Sequence, residues 1–196
     1  MYTATRRLIK ERQQYSGYVI ERVSVKNVGG GAPNRAFSNA YNTLDRKKGI
    51  KMTSGWIVDK FNKFKNSTEI TQHFWNVDCS GNYFDTTPLF GSDVADLEYV
   101  IDCDIQAYGQ KHYDQIDSCV ASSLLLRDGE FLAVDIDETG RLVFRSIESL
   151  DTRNLFEKAT IENEIDEATV YGRQTISLAE YMERLMSQDK SFNRAA

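Results

Sequence analysis

An α+β fold, in which an antiparallel sheet packs on a helix of the N-terminal half, follows from three features of the sequence. Short runs of β-branched and aromatic residues alternate with turn residues. One helix-spaced apolar pattern stands early, between residues 34 and 48. At the centre, residues 69–77 and 82–86 flank Ser80-Gly81-Asn82 and read as an aromatic-rich hairpin. A β-meander and a C-terminal helix complete the expected architecture.

The length, 196 residues, suits one domain with a smaller appendage. The expected division is a core at 1–95 and a mixed α/β extension at 96–196, packed on the core and not independent. With 41% hydrophobic and 27% charged residues the chain reads as a soluble globular protein. Nothing approaches a membrane-spanning run, and the basic start lacks the apolar segment of a secretory signal. Three cysteines without a Cys-x-x-Cys pair imply reduced thiols and a cytoplasmic setting. With two histidines, they leave no structural zinc set. A net charge of −5 speaks against nucleic acid as a partner. The basic clusters (Arg6, Arg7, Lys10 and Arg12; Arg46 to Lys48; residues 60–65) read as solvated faces. Phe61 and Phe64 among the lysines of the last cluster are only a weak single-strand signal.

In chain order, residues 3–14 predict a short helix, broken at Tyr15-Ser16-Gly17. Residues 18–25 predict a strand. Gly29, Gly30 and Gly31 form a flexible approach loop without a phosphate-loop Gly-Lys-Ser/Thr. Pro33 then opens a helix with Phe37, Ala40, Tyr41 and Leu44 as its buried stripe. Arg46, Lys47 and Lys48 fall in its last turn, and Gly49 ends it. Residues 50–58 predict a strand in which Gly55 marks a bulge or a close backbone approach. Residues 97–107 mix apolar and acidic positions and suit a strand or a helix–strand piece. Turn signals at 127–130 and 137–140 bracket strands at 131–136 and 141–147. Residues 149–156 suggest a helical turn. Ser177 and Glu180 form a capping box for the last helix.

The chemistry gathers in Thr71 to Pro88. His73 lies on one arm of the hairpin and Asp85 on the other, where an imidazole can be oriented by a carboxylate. Asp78 is a second possible orienter, and Asp85 can also serve as a turn cap. Residues 34–88 resemble the core of transglutaminase-like proteins in the wider papain-like cysteine-enzyme group. The matching pieces are Asn34-Arg35-Ala36-Phe37-Ser38-Asn39-Ala40, Lys48-Gly49-Ile50, Ser54-Gly55-Trp56, His73-Phe74-Trp75, Gly81 and Tyr83-Phe84-Asp85-Thr86-Thr87-Pro88. A looser resemblance is to uncharacterised proteins of large tailed bacteriophages with the same His-x-Trp and Asp-x-Thr-Pro arrangement.

The resemblance implies a Cys-His-Asp site: a nucleophile at position 36, His73 as base and acid, and Asp85 as orienter. Asn34, Trp56 and Trp75 are candidate substrate contacts, the tryptophans read first as core packing. No metal or organic cofactor is implied. Position 36, however, is alanine, which cannot attack a carbonyl. It stands for an exchanged native cysteine, for a natural inactive relative, or beside a substitute hydroxyl at Ser38. Ser38 is turned about 200° from residue 36 on a helix. The intact His73, Asp85 and aromatics favour the exchanged cysteine. Cys79 lies on the wrong element, and Cys103 and Cys119 read as buried small hydrophobes. Two functions stand against each other. One is an acyl-transfer enzyme (amidase, deamidase or transglutaminase type) acting on a protein or a small amide. The other is a non-catalytic module, such as a phage inhibitor that binds a host protein.

Overall fold

A computed structural model describes residues 1–32, 35–59, 67–88, 97–104, 106–107, 123–136 and 142–155. Met1–Ile161 forms one compact unit and Glu162–Ala196 a second, and all described residues belong to the first. Asn34, Pro33, the basic run at 60–65, His112, Cys119 and the helix expected after Ser177 lie outside the described residues.

Among the described residues the fold is α+β, dominated by one sheet of nine strands. The order of elements is α1 (Thr3–Gln13), β1 (Glu21–Val23), β2 (Val25–Asn27), α2 (Ala36–Asn42), β3 (Lys51–Asp59), β4 (Ser67–Val77), β5 (Tyr83–Asp85), β6 (Leu97–Ile101), β7 (Ser123–Arg127), β8 (Glu130–Ile136) and β9 (Leu142–Ser146). Among these strands all pairings are antiparallel except β2 with β5. The sheet spans both expected regions, because β6 sits between β1 and β3. The two strands expected at 131–136 and 141–147 are β8 and β9, and β7 joins them as a third; the turn from β7 to β8 places Asp128 and Gly129 at positive φ, as a two-residue hairpin requires.

The strand expected at 18–25 is broken at Ser24, and the break shapes the sheet. β1 pairs with β6 while β2, one residue on, pairs with β5. The ladder β2–β5–β4–β3–β6–β1 therefore returns to its own start and curls around one face. Alternation assigns the faces. Ile57, His73, Trp75 and Tyr99 point into the curl, where Ile57, Trp75 and Tyr99 pack with Val23, Val25, Tyr83, Leu97 and Ile101. Trp56, Val58, Ile70, Val100 and Leu124 point outward and are covered by Ala4 and Leu8 of α1 and by Leu150 and Leu155.

Gly55 is a close approach and not a bulge. Pairing of β3 with β4 runs unbroken, and a Cβ at Gly55 would stand 2.1 Å from Val100 O and 2.5 Å from the Trp75 ring. Gly31 likewise leaves the space that the Asn39 amide occupies.

Three expectations are corrected. The helix opened at Pro33 was to run to Lys48, but α2 ends at Asn42. Asp45 captures the Lys47 and Lys48 N–H groups (3.0 and 3.2 Å), so the lysines sit in a side-chain-capped turn and not in a last helical turn. Of the expected stripe only Ala40 is buried; Phe37 is half-buried, while Tyr41 is 54% and Leu44 40% exposed. Arg12, grouped with the solvated cations, is fully buried. Its guanidinium donates to Asp102 (2.7 and 3.3 Å), Asp104 (3.2 Å), Thr152 (3.0 Å) and Leu150 O (2.5 Å). That network ties α1 to the end of β6 and to the helical turn at 152–155. Arg6, Arg7 and Lys10 are exposed as expected.

Candidate functional site

The hairpin places the two titratable residues together. Asp78 builds its turn: Oδ1 accepts the Ser80 and Asn82 N–H groups (2.8 and 2.9 Å), and Gly81 takes φ +83°. Asp78 is thereby spent on its own loop. β5 returns beside β4, with Asn76 opposite Phe84 and Val77 opposite Tyr83. Asp85 then falls beside Trp75 and reaches diagonally to His73. His73 Nε2 lies 2.7 Å from Asp85 Oδ2.

Asp85 is engaged on both oxygens. Oδ2 also accepts from the Tyr99 hydroxyl (3.0 Å), and Oδ1 accepts the Thr87 N–H (2.8 Å). The turn-capping and histidine-orienting readings are thus met at once, by different oxygens. Tyr99 reaches Asp85 across the inside of the curl, although β3 and β4 separate their strands in the ladder. Asp85 is 1% and His73 6% exposed. Burial pushes the Asp85 carboxyl up, but the hydrogen bonds and charge of His73, with the Thr87 and Tyr99 bonds, outweigh it and hold the group below its ordinary range. Burial, followed by the Asp85 charge, pushes the Tyr99 phenol well above its ordinary range.

An ionised carboxylate only accepts, so the proton on this side of the imidazole sits on Nε2. Nδ1 meets no hydrogen-bond partner among the described residues. It is the atom left to act as a base. Trp75 stacks near His73 with ring centroids 6.3 Å apart, and Tyr99 stands edge-on at 6.2 Å.

Of the remaining candidates, Trp56 is on the opposite face from His73. It is fully buried, and its N–H donates to Asp102 (2.9 Å). Ala36 opens α2 and is half-buried; Ser38 is exposed. α2 packs on β4 through Phe37 against Phe74 (5.3 Å, edge-on) and through Ala40 O, which accepts from Asn76 (2.9 Å). Phe74 and Asn76 leave the strand on the side opposite His73. One link joins α2 to the couple: Asn39 donates to Thr87 Oγ1 (3.2 Å), and Thr87 donates to Asp85. Asn39 is held in turn by both polar groups of the Ala32 backbone (2.9 and 2.7 Å). Cys79 is exposed, and Cys103 is half-buried with its sulfur 3.5 Å from the Thr53 hydroxyl, not a buried hydrophobe.

Sequence reasoning missed Tyr99, Asn39 and Thr87. Tyr99 had a signal: in Leu97-Glu98-Tyr99-Val100-Ile101 it shares a side with Leu97 and Ile101 and is the one hydroxyl there. No group of three or more His, Cys, Asp or Glu side chains suited to a metal occurs among the described residues. No helix among them is long and apolar enough to cross a membrane. The chain matches no protein-family model, no curated protein and no solved structure.

Proposed function

We propose that the chain carries the base half of an acyl-transfer site on a Cys-His-Asp plan, with Ala36 at the place of the nucleophile. The observation that supports this reading is the buried 2.7 Å contact of His73 Nε2 with Asp85, with Nδ1 unengaged among the described residues. The resemblance to transglutaminase-like cores rests on the same residues, and Asn39 ties the first turn of α2 to the couple through Thr87. With alanine at position 36 the chain cannot acylate.

With a thiol there, the reading implies the following chemistry. Nδ1 takes the S–H proton as sulfur bonds to an amide or ester carbonyl carbon. The imidazolium returns that proton to the leaving nitrogen or oxygen as its bond to carbon breaks. Water or an amine then displaces the thiol, giving hydrolysis, deamidation or transfer. Asp85 keeps the ring in one orientation throughout. Substrates are protein side chains, peptides or small amides.

The test is the Ala36→Cys variant in a Cys79→Ser background, labelled with iodoacetamide at neutral pH. Rapid labelling of residue 36 that slows at least tenfold on His73→Ala is expected. Equal labelling with and without His73 would sink the reading.

A second reading, a non-catalytic module that binds a host protein, draws on a different observation. The surface of α2 and its exit expose Tyr41 and Leu44, apolar area suited to a protein partner. Recovery of one stoichiometric partner by the native chain, lost on Tyr41→Asp, would favour it.

A further inference from the structure

Charge is unevenly placed along the chain. Residues 35–48 hold four cations (Arg35, Arg46, Lys47 and Lys48) and one acid, Asp45, a net of +3 in a chain of −5. All four cations are exposed. Among the described residues only Lys48 has a carboxylate partner, Asp45 at 3.3 Å. Asp78, whose turn packs on Gly49 through Cys79, has both oxygens bonded within that turn.

The same segment exposes apolar surface. Tyr41 is 54% and Leu44 40% exposed, and the Phe37 ring stacks on Tyr41 with centroids 5.9 Å apart. The Leu44 N–H donates to Tyr41 O (3.1 Å), which sets Leu44 one turn beyond Tyr41. The cations that follow stand on a closed loop. Asp45 Oδ1 accepts two of its N–H groups, the Gly49 N–H donates to Arg46 O (3.3 Å), and the Ile50 N–H donates to Asp45 O (2.9 Å). Gly49 turns the chain at φ +68°. A loop already bonded to itself has little backbone order left to lose on binding.

We infer that this surface, from Tyr41 of α2 to Lys48, docks an acidic protein segment that carries an apolar side chain. Its carboxylates meet Arg46, Lys47 and Lys48, and its apolar side chain meets Tyr41 and Leu44. Charge complementarity points to an anion. The apolar pair narrows the class, because Leu44 offers nothing to a base or a phosphate. The rest of the chain carries the balance, −8, which repels a long nucleic acid or an anionic bilayer and leaves a short segment free to meet this patch alone. The inference rests on the second of the two readings above and names the chemistry of its partner; the acyl-transfer reading is untouched by its outcome.

The test is fluorescence anisotropy of the native full chain with a dye-labelled peptide of glutamates around a central leucine and phenylalanine. Saturable binding is expected. It should weaken at least about fivefold with Arg46→Glu plus Lys47→Glu, with Tyr41→Ser plus Leu44→Ser, and on raising salt from about 0.1 M to about 0.5 M. All four residues are exposed, so these variants leave the core intact. A peptide with lysine in place of glutamate should stay free. No binding, or binding indifferent to both variant pairs, would overturn the inference. So would phosphatidylserine vesicles or oligothymidine that bind through these four residues while the peptide stays free. A stoichiometric partner lost on Tyr41→Asp, in a chain that ignores the peptide, would keep the binding module and overturn its acidic partner.

Discussion

Replacing Asp85 separates structural from chemical roles, because asparagine and alanine break the network differently. Asp85 accepts three hydrogen bonds, from His73, Tyr99 and Thr87, at 1% exposure. Asp85→Ala leaves these donors facing a cavity. Removing one partner of a buried charged pair costs about 3–5 kcal/mol. Asp85→Asn keeps the shape. Its oxygen can retain the Thr87 N–H, while its NH2 donates to Tyr99 and to Nε2, provided the His73 proton moves to Nδ1. The remaining loss is charge assistance, about 1–2 kcal/mol. Stability read by urea unfolding, with the buried Trp56 and Trp75 as fluorescent reporters, should rank native above Asp85→Asn above Asp85→Ala. Acid sharpens the comparison. The folded pKa of Asp85 is depressed, so its stabilisation is complete above the unfolded value of about 3.9 and is lost as pH falls through the folded one. Below about pH 4 the native chain should lose stability that Asp85→Asn never had. Asp85→Ala within 1 kcal/mol of native, or Asp85→Asn as damaging as Asp85→Ala, would refute this account of the network, since unmet donors cost about 1–3 kcal/mol each.

Arg12→Met should destabilise by about 3–5 kcal/mol, since it strands the fully buried Asp102. Adding Asp102→Asn should recover part of that loss in the same urea assay, and an additive double variant would show that the pair is not coupled. Gly55→Ala should cost at least about 2 kcal/mol or prevent folding, because the added methyl meets Val100 O, which is backbone and cannot swing away. A Gly55→Ala chain with native stability would mean that Trp75 does not cover this position.

Much of the fold was open to a reader of the sequence because local chemistry set it. Asp78 and Gly81 make the turn whose two arms carry His73 and Asp85, and Asp128-Gly129 makes the other hairpin. The α1 pattern also held, from Thr3 to Gln13. What escaped depended on contacts far apart in the chain. Arg12 sits among basic residues, and only Asp102, Asp104 and Thr152, brought in from distant segments, make its burial tenable. The break at Ser24 is invisible to alternation, because Val23 and Val25 keep the same side on both sides of it. Trp56 and Trp75 look alike in sequence, but an odd separation along paired strands sends them to opposite faces. α2 is shorter than its apolar spacing suggested, because Asp45 offered the backbone a competing turn. The site was half legible for the same reason: the couple lies within one hairpin, whereas Tyr99 comes from across the sheet.

The imidazole of His73 holds the central claim, and its nitrogen resonances read it directly. A long-range 1H–15N spectrum of the native chain should show the proton on Nε2 and an unprotonated Nδ1, inverted in Asp85→Asn. A neutral His73 protonated on Nδ1 in the native chain would contradict the account, because the nitrogen facing Asp85 would then carry no hydrogen to donate and the base would point the wrong way.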